Sequence, residues 1–206
     1  ANPNNPTGTR VSPVELDRFL DGLPPHVVAV VDEAYVELLP EGEAPDLLRH
    51  VRAGRSLFVL RTFSKAYGLA GLRIGYAVAP PAGIQLLHKV RQPFNVNAMA
   101  QAAALAALED EAHVAATRRM VAEGLLQVTR GLEARGLEYV PSVANFILVK
   151  TGRGREISQA LQRQRVIVRP VDAYALPDYI RVTIGTPTEN ARFLDALDVV
   201  MGKGTA

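Results

Sequence analysis

Two short apolar runs constrain what this chain can fold into more than any other feature. Residues 27–31, Val-Val-Ala-Val-Val, are unbroken and mostly β-branched and stop at Asp32; residues 57–60, Leu-Phe-Val-Leu, stop at Arg61-Thr62-Phe63-Ser64-Lys65. Runs without polar alternation suit strands buried on both faces, as in a parallel sheet covered by helices. Residues 45–51 between them read as a short crossover helix, so the segment is a β-α-β unit with parallel strands. Parallel strands end at one edge of the sheet, and open α/β sheets bind ligands there. Asp32 and Lys65 are therefore expected at a ligand-binding edge.

The next apolar segment, residues 74–79, follows Lys65 after only eight residues. That is fewer than the dozen or so a parallel crossover needs. The segment should run antiparallel beside the strand before Lys65, which would return Arg73, at its start, to the same edge. Upstream, Ser12-Pro13-Val14-Glu15 has the form of a capping box with proline at the first helical position, opening a helix to about Leu23. Downstream, residues 82–91, 97–108 and 111–135 read as helices, the last two rich in alanine and leucine. After Gly136 the pattern becomes short strands at 139–140, 146–150, 166–169 and 179–184, with helices at 155–164 and 188–201. The expected fold is α/β, with a mostly parallel sheet carrying one antiparallel strand over 1–110 and a smaller α+β domain over 111–206.

Composition closes off several function classes. With 206 residues, 48% of them hydrophobic, the chain can bury a real core. No apolar run approaches the roughly 18–20 residues that span a bilayer, and no signal-peptide succession opens the chain, so it reads as soluble and cytoplasmic. There is no cysteine, and His26, His50, His88 and His113 lack ligand spacing, so no metal centre is expected. The net charge is +2 and no basic cluster interleaves with aromatics, so neither is nucleic acid. The first eight residues, beginning at Ala1, are dense turn chemistry, which reads like a piece of a longer polypeptide.

A lysine is by default solvated surface charge. Lys65 differs because it follows a buried strand and precedes a loop with Gly68 and Gly71, where backbone can approach a ligand closely. A partly desolvated lysine near a second cation has its neutral amine favoured, the form that attacks a carbonyl. Four segments recur with it: Asn2-Pro3-Asn4-Asn5-Pro6-Thr7-Gly8, Val31-Asp32-Glu33-Ala34-Tyr35, the stretch from Thr62 through Lys65 and Arg73 to Tyr76, and Tyr179-Ile180-Arg181-Val182-Thr183-Ile184-Gly185-Thr186. In order and spacing they resemble the fold-type-I pyridoxal-phosphate (PLP) aminotransferases over essentially the whole chain. With Arg91-Gln92-Pro93-Phe94-Asn95-Val96-Asn97, Ala144-Asn145-Phe146-Ile147-Leu148 and Val168-Arg169-Pro170, the chain looks most like the histidinol-phosphate aminotransferases.

The resemblance implies a set of roles. Lys65 would hold PLP as a Schiff base and move a proton during catalysis. Asp32 would face the pyridine nitrogen, and Asn5 and Tyr35 the phenolic oxygen. Ser64 and Arg73, with Thr62, would bind the phosphate; a hydroxyl and a guanidinium suit that task. Arg181 would grip the anionic end of the substrate through its planar fork. Asp32 and Glu33, as strand neighbours, should point to opposite faces and so are no acid–base pair. The implied reaction transfers an amino group from histidinol phosphate to 2-oxoglutarate, giving imidazole-acetol phosphate and glutamate in a homodimer. Aromatic aminotransferases and threonine-phosphate decarboxylases share the cofactor motifs. A Thr62-x-x-Lys65 hydrolase pair is excluded because no partner motif follows. The contrasting expectation is a non-catalytic fragment, since a complete relative would carry further polypeptide with a phosphate loop and a ring-stacking aromatic.

Overall fold

Ser12 opens the first helix with the chemistry its sequence suggests. In the computed structural model, which describes residues 1–202, helix α1 spans Pro13–Asp21. The Ser12 hydroxyl accepts from the Glu15 N–H, and the Glu15 carboxylate accepts from the Ser12 N–H. Strand β1 follows at Ala29–Asp32, helix α2 at Leu48–Arg52, strand β2 at Leu57–Thr62 and strand β3 at Gly75–Val78. β1 and β2 pair in parallel with Asp32 opposite Leu60, and β2 and β3 pair antiparallel with Thr62 opposite Gly75. The short connection after Lys65 thus forces the reversal its length demanded. Helices α3 (Pro81–Val90), α4 (Ala98–Glu109) and the long α5 (Glu111–Ala134) follow.

Contacts divide the described chain into two units: Ala1–Pro3 with Val11–Arg118, and Asn4–Arg10 with the residues from Arg119 onward. The division between the units therefore falls inside α5, and the Asn4–Arg10 turn groups with the later unit. In the first unit, Leu16 and Leu20 on α1 and Leu47 before α2 pack on Val31, Leu57 and Val59. The buried His50 ring meets Asp17 at 2.8 Å, tying α2 to α1, which accounts for one of the scattered histidines. The expectation of strands covered on both faces is corrected at β1: Val28 and Val30 are each 58% exposed. The helices at β1 sit on the Val31 face alone, while at β2 the Phe58 ring lies so close to Gly83 of α3 that a Cβ there would come within 2.6 Å of it.

The second unit is an antiparallel sheet with helices. Strands β4 (Tyr139–Val140), β5 (Phe146–Lys150), β6 (Arg169–Pro170) and β7 (Tyr179–Thr183) lie in the order β4-β5-β7-β6. Helices α6 (Gly154–Arg163) and α7 (Pro187–Val200) complete it. Its core joins Val128 and Leu132 of α5, Ile147 and Val149, Ile157 and Leu161, Ile180 and Val182, and Phe193 and Leu197. Residues 166–169 were expected as a strand, but only Arg169 and Pro170 pair with β7. Arg165 turns the backbone into the left-handed region (φ 60°) and Ile167 is 84% exposed, so the apolar run starts in a loop. Pro170, lacking an N–H, then ends the ladder.

Two outcomes follow from this packing. Ile180→Ala, at a fully buried position, should lower unfolding stability by about 2–5 kcal/mol in denaturant titrations. Thr186 caps α7 as Ser12 caps α1, and hydrogen bonds from the Thr186 N–H and hydroxyl hold the Glu189 carboxyl below its ordinary value. A depressed carboxyl stabilises the fold above the unfolded-state pKa and loses that contribution as pH falls through the folded one. The stability gap between wild type and Thr186→Ala should therefore narrow on acidification; a gap that widened would contradict the capping role.

Candidate active site

In the first unit the expected residues gather at one sheet edge because parallel pairing ends β1 and β2 together. Asp32 is the last residue of β1 and is exposed; its Oδ1 accepts from the Ala34 N–H at 3.0 Å, tightening the turn that leads to Tyr35. Tyr35 is buried, and the Lys65 amine lies over its ring, 5.4 Å from the centroid. Thr62 ends β2, and its hydroxyl accepts from the Ser64 N–H at 3.1 Å. The Arg73 guanidinium donates to the Ser64 hydroxyl at 3.4 Å and to the Ala70 carbonyl at 2.7 Å. The structure thus brings Arg73 back beside the Ser64–Lys65 segment, as the reversal into β3 requires.

Local backbone chemistry makes that return possible. Arg73 sits in the left-handed region (φ 54°), which is uncommon for a residue with a Cβ and marks strain held by its surroundings. Two residues later, a Cβ on Gly75 would come within 2.7 Å of the Arg61 carbonyl, so only glycine allows β3 this close to β2. Donors for an oxyanion (Ser64, Arg73), an amine (Lys65) and an exposed carboxylate (Asp32) are held at the edge by short backbone segments.

The second unit joins the other two expected residues to each other. The Arg181 guanidinium of β7 donates to the Asn5 side-chain oxygen at 2.5 Å, across 176 positions of sequence. It also lies over the Phe146 ring, 5.0 Å from the centroid, a cation–π arrangement that aims the fork. The Asn5 turn is anchored there by a bond from the Val143 N–H to the Gly8 carbonyl at 2.9 Å. Arg181 Nε is buried without a hydrogen-bond partner.

Sequence reasoning missed three contributors. Phe146 lay within a quoted motif without a role. Glu33 and Arg61 flank the expected residues, and the fully buried Glu33 accepts from Arg61 Nε at 2.9 Å, with Nη2 in ion-pair contact at 2.8 Å. The available signal was strand alternation: if Asp32 faces out, Glu33 faces in, and a buried carboxylate needs a cationic partner. Burial pushes the Glu33 carboxyl up, with Arg61 opposing; burial likewise raises Glu37. Among the described residues no cluster of three His, Asp or Glu side chains could hold a metal ion, and no helix is long and apolar enough to cross a membrane.

The family model for aminotransferase class I and II matches residues 1–197. The chain belongs to that family. Among curated relatives of this chain, histidinol-phosphate aminotransferase of Akkermansia muciniphila is 51% identical over 200 residues, covering 97% of the chain and 54% of the relative. The chain thus spans about half the length of the curated relatives it matches. Among solved structures, histidinol-phosphate aminotransferase from Sinorhizobium meliloti in complex with pyridoxal-5'-phosphate matches with TM-score 0.87 and 30% identity, over 98% of this chain and 56% of that one. L-threonine-O-3-phosphate decarboxylase from Porphyromonas gingivalis matches with TM-score 0.84 and 28% identity, over 98% and 63%. The fold is that of part of a fold-type-I aminotransferase.

If Asn5 holds Arg181 in place, their substitutions will not add. A double-mutant cycle of Asn5→Ala and Arg181→Ala, read by denaturant unfolding, should give a coupling of about 0.5–3 kcal/mol; additive losses would show that the contact carries no energy.

Proposed function

We propose that the protein carrying this chain is a PLP-dependent aminotransferase that exchanges an amino group between histidinol phosphate and 2-oxoglutarate. The observation that carries the reading is the gathering of Asp32, Tyr35, Thr62, Ser64, Lys65 and Arg73 at the carboxyl edge of β1 and β2. The donor set fits the cofactor. A hydroxyl and a guanidinium side by side match a phosphate, an exposed carboxylate at a strand end matches a protonated pyridine nitrogen, and an amine stands over the Tyr35 ring. When bound, PLP supplies the electron sink that lets a bond at the substrate's α-carbon break.

The chain's own residues do the rest. Ser64 and Arg73, with Thr62 bracing the turn, hold the phosphate. The Asp32 carboxylate would face the pyridine nitrogen and favour its protonated form. Tyr35 and Asn5 are assigned to the phenolic oxygen. Lys65 would hold the cofactor through its amine and, when freed by the incoming substrate, would carry the proton that the reaction moves. Arg181 is assigned to the substrate's anionic end group, a role supported by its orientation on Phe146. The proposal includes a cytoplasmic homodimer, the assembly expected from the resemblance.

Histidinol phosphate is supported by the names of the relatives at about half identity; 2-oxoglutarate is carried by the family resemblance alone. In the full-length protein, absorbance titration should show PLP uptake, and Lys65→Ala should abolish the covalent cofactor signal and cut turnover by about 10²–10⁴-fold or more. Coupled assays should show histidinol phosphate preferred over phenylalanine and threonine phosphate as amino donor. Turnover unchanged by Lys65→Ala would overturn the catalytic assignment, and failure with histidinol phosphate alone would overturn the substrate.

A further inference from the structure

We propose that the Glu33–Arg61 ion pair is a positioning element: it clamps the turn carrying Asp32 and Tyr35 to the strand end carrying Thr62, Ser64 and Lys65. The inference rests on the cofactor reading above. Glu33 follows Asp32 directly, and Arg61 directly precedes Thr62, so each member is one residue from a group assigned to the cofactor. Glu33 is tied to β2 twice. Its N–H donates to the Leu60 carbonyl at 2.8 Å, and its Oε2 accepts a hydrogen bond from Arg61 Nε at 2.9 Å while Nη2 makes ion-pair contact with the same oxygen at 2.8 Å. Two guanidinium nitrogens held against one oxygen restrict the guanidinium more than a single point contact would. On the other side of β2, Arg61 stands opposite Tyr76 of β3, whose ring meets Phe63 at 5.7 Å. The pair therefore sits where all three strands of the sheet reach the site.

Stability alone gives a poor reason for this arrangement. Two charges taken out of water regain little over apolar side chains of the same size, and replacing a buried ion pair by such residues is often neutral or stabilising. Here Glu33 is 0% exposed, and its Oε1 has no hydrogen-bond partner at all. Burial raises its carboxyl against the pull of Arg61, which is the mark of an incompletely compensated charge. What the pair provides and an apolar pair cannot is direction. Two strand ends separated by 28 positions of sequence are held at fixed spacing by bonds with defined angles. A misplacement of about 1 Å among such groups can cost about 10²-fold in rate.

The test uses the full-length protein with PLP and three variants. Glu33→Gln should lower the melting temperature and weaken PLP binding by about tenfold or more, measured by absorbance titration, because it removes the carboxylate charge that offsets Arg61. The double variant Glu33→Met with Arg61→Met removes both charges. It should recover the melting temperature, yet keep the weakened PLP affinity and a kcat lowered by about tenfold or more, with KM for the amino donor within about twofold. Arg61→Lys keeps the charge and loses the fork, and should show the same loss of PLP affinity; it decides the matter if the double variant does not fold. A double variant or Arg61→Lys with wild-type PLP affinity and kcat would overturn the inference, leaving the pair a structural contact. Wild-type protein that took up no PLP would overturn the cofactor reading itself, an outcome visible before any variant is compared.

Discussion

The parallel register of β1 against β2 is the constraint on which the candidate site depends. With Asp32 opposite Leu60, both strands run out at the same edge, and the next residues of each must turn there. An acidic turn from one strand and a hydroxyl-rich turn ending in lysine from the other are thus delivered to one edge by the backbone ladder. A slip of one residue would send every side chain of a strand to the opposite face, exchanging Asp32 for Glu33. Register is held against such a slip by Val31, Leu57 and Val59, which pack on Leu16, Leu20 and Leu47 from one side only. Core and site are consequences of the same alternation: the residues that face inward choose which ones face out.

The reversal into β3 adds the cation. Eight residues suffice to bring the chain back antiparallel, at the cost of a left-handed Arg73 and an obligatory close approach at Gly75. Strain of this kind persists only where surroundings over-determine it, and here the Arg73 side chain is bonded to both Ser64 and Ala70. In the second unit a different device serves the same end. Arg181 lies in a strand flanked by buried Ile180 and Val182, so its guanidinium must leave the core, and the Phe146 ring and Asn5 oxygen determine where it goes.

Much of this was legible in the residues. The β-α-β unit, the antiparallel return and the Ser12-capped first helix could be read because each follows from short-range rules: apolar runs, loop length and a serine three residues before glutamate. Motif order carried the family. The parts that could not be read are those decided by distant chain. The bond between Asn5 and Arg181 joins residues 176 positions apart, and spacing holds no trace of it. Residues 166–169, opening on Val166-Ile167-Val168, look like a strand locally, but the left-handed turn at Arg165 sends them through a loop with Ile167 exposed, and pairing begins only at Arg169 and Pro170. The doubly buried reading of β1 failed for the same reason. A run of valines reports what a strand can bury, whereas Val28 and Val30 remain exposed because the packing helices occupy the other face.

The adjacent carboxylates Asp32 and Glu33 bring these strands of argument together. Neighbouring acids in sequence invite a reading as a catalytic pair, and alternation rules that out, since one faces solvent and the other the interior. They are nonetheless coupled, through the backbone they share. Because Glu33 is held by Arg61 and by the Leu60 carbonyl, the peptide that carries Asp32 has little freedom to rotate, and the turn through Ala34 to Tyr35 starts from a fixed point. In the proposed reading the outward acid would supply the chemistry and the inward acid its aim. A buried charge that would be a liability in an ordinary core is therefore reasonable at this one place, where orientation matters more than the free energy of burial.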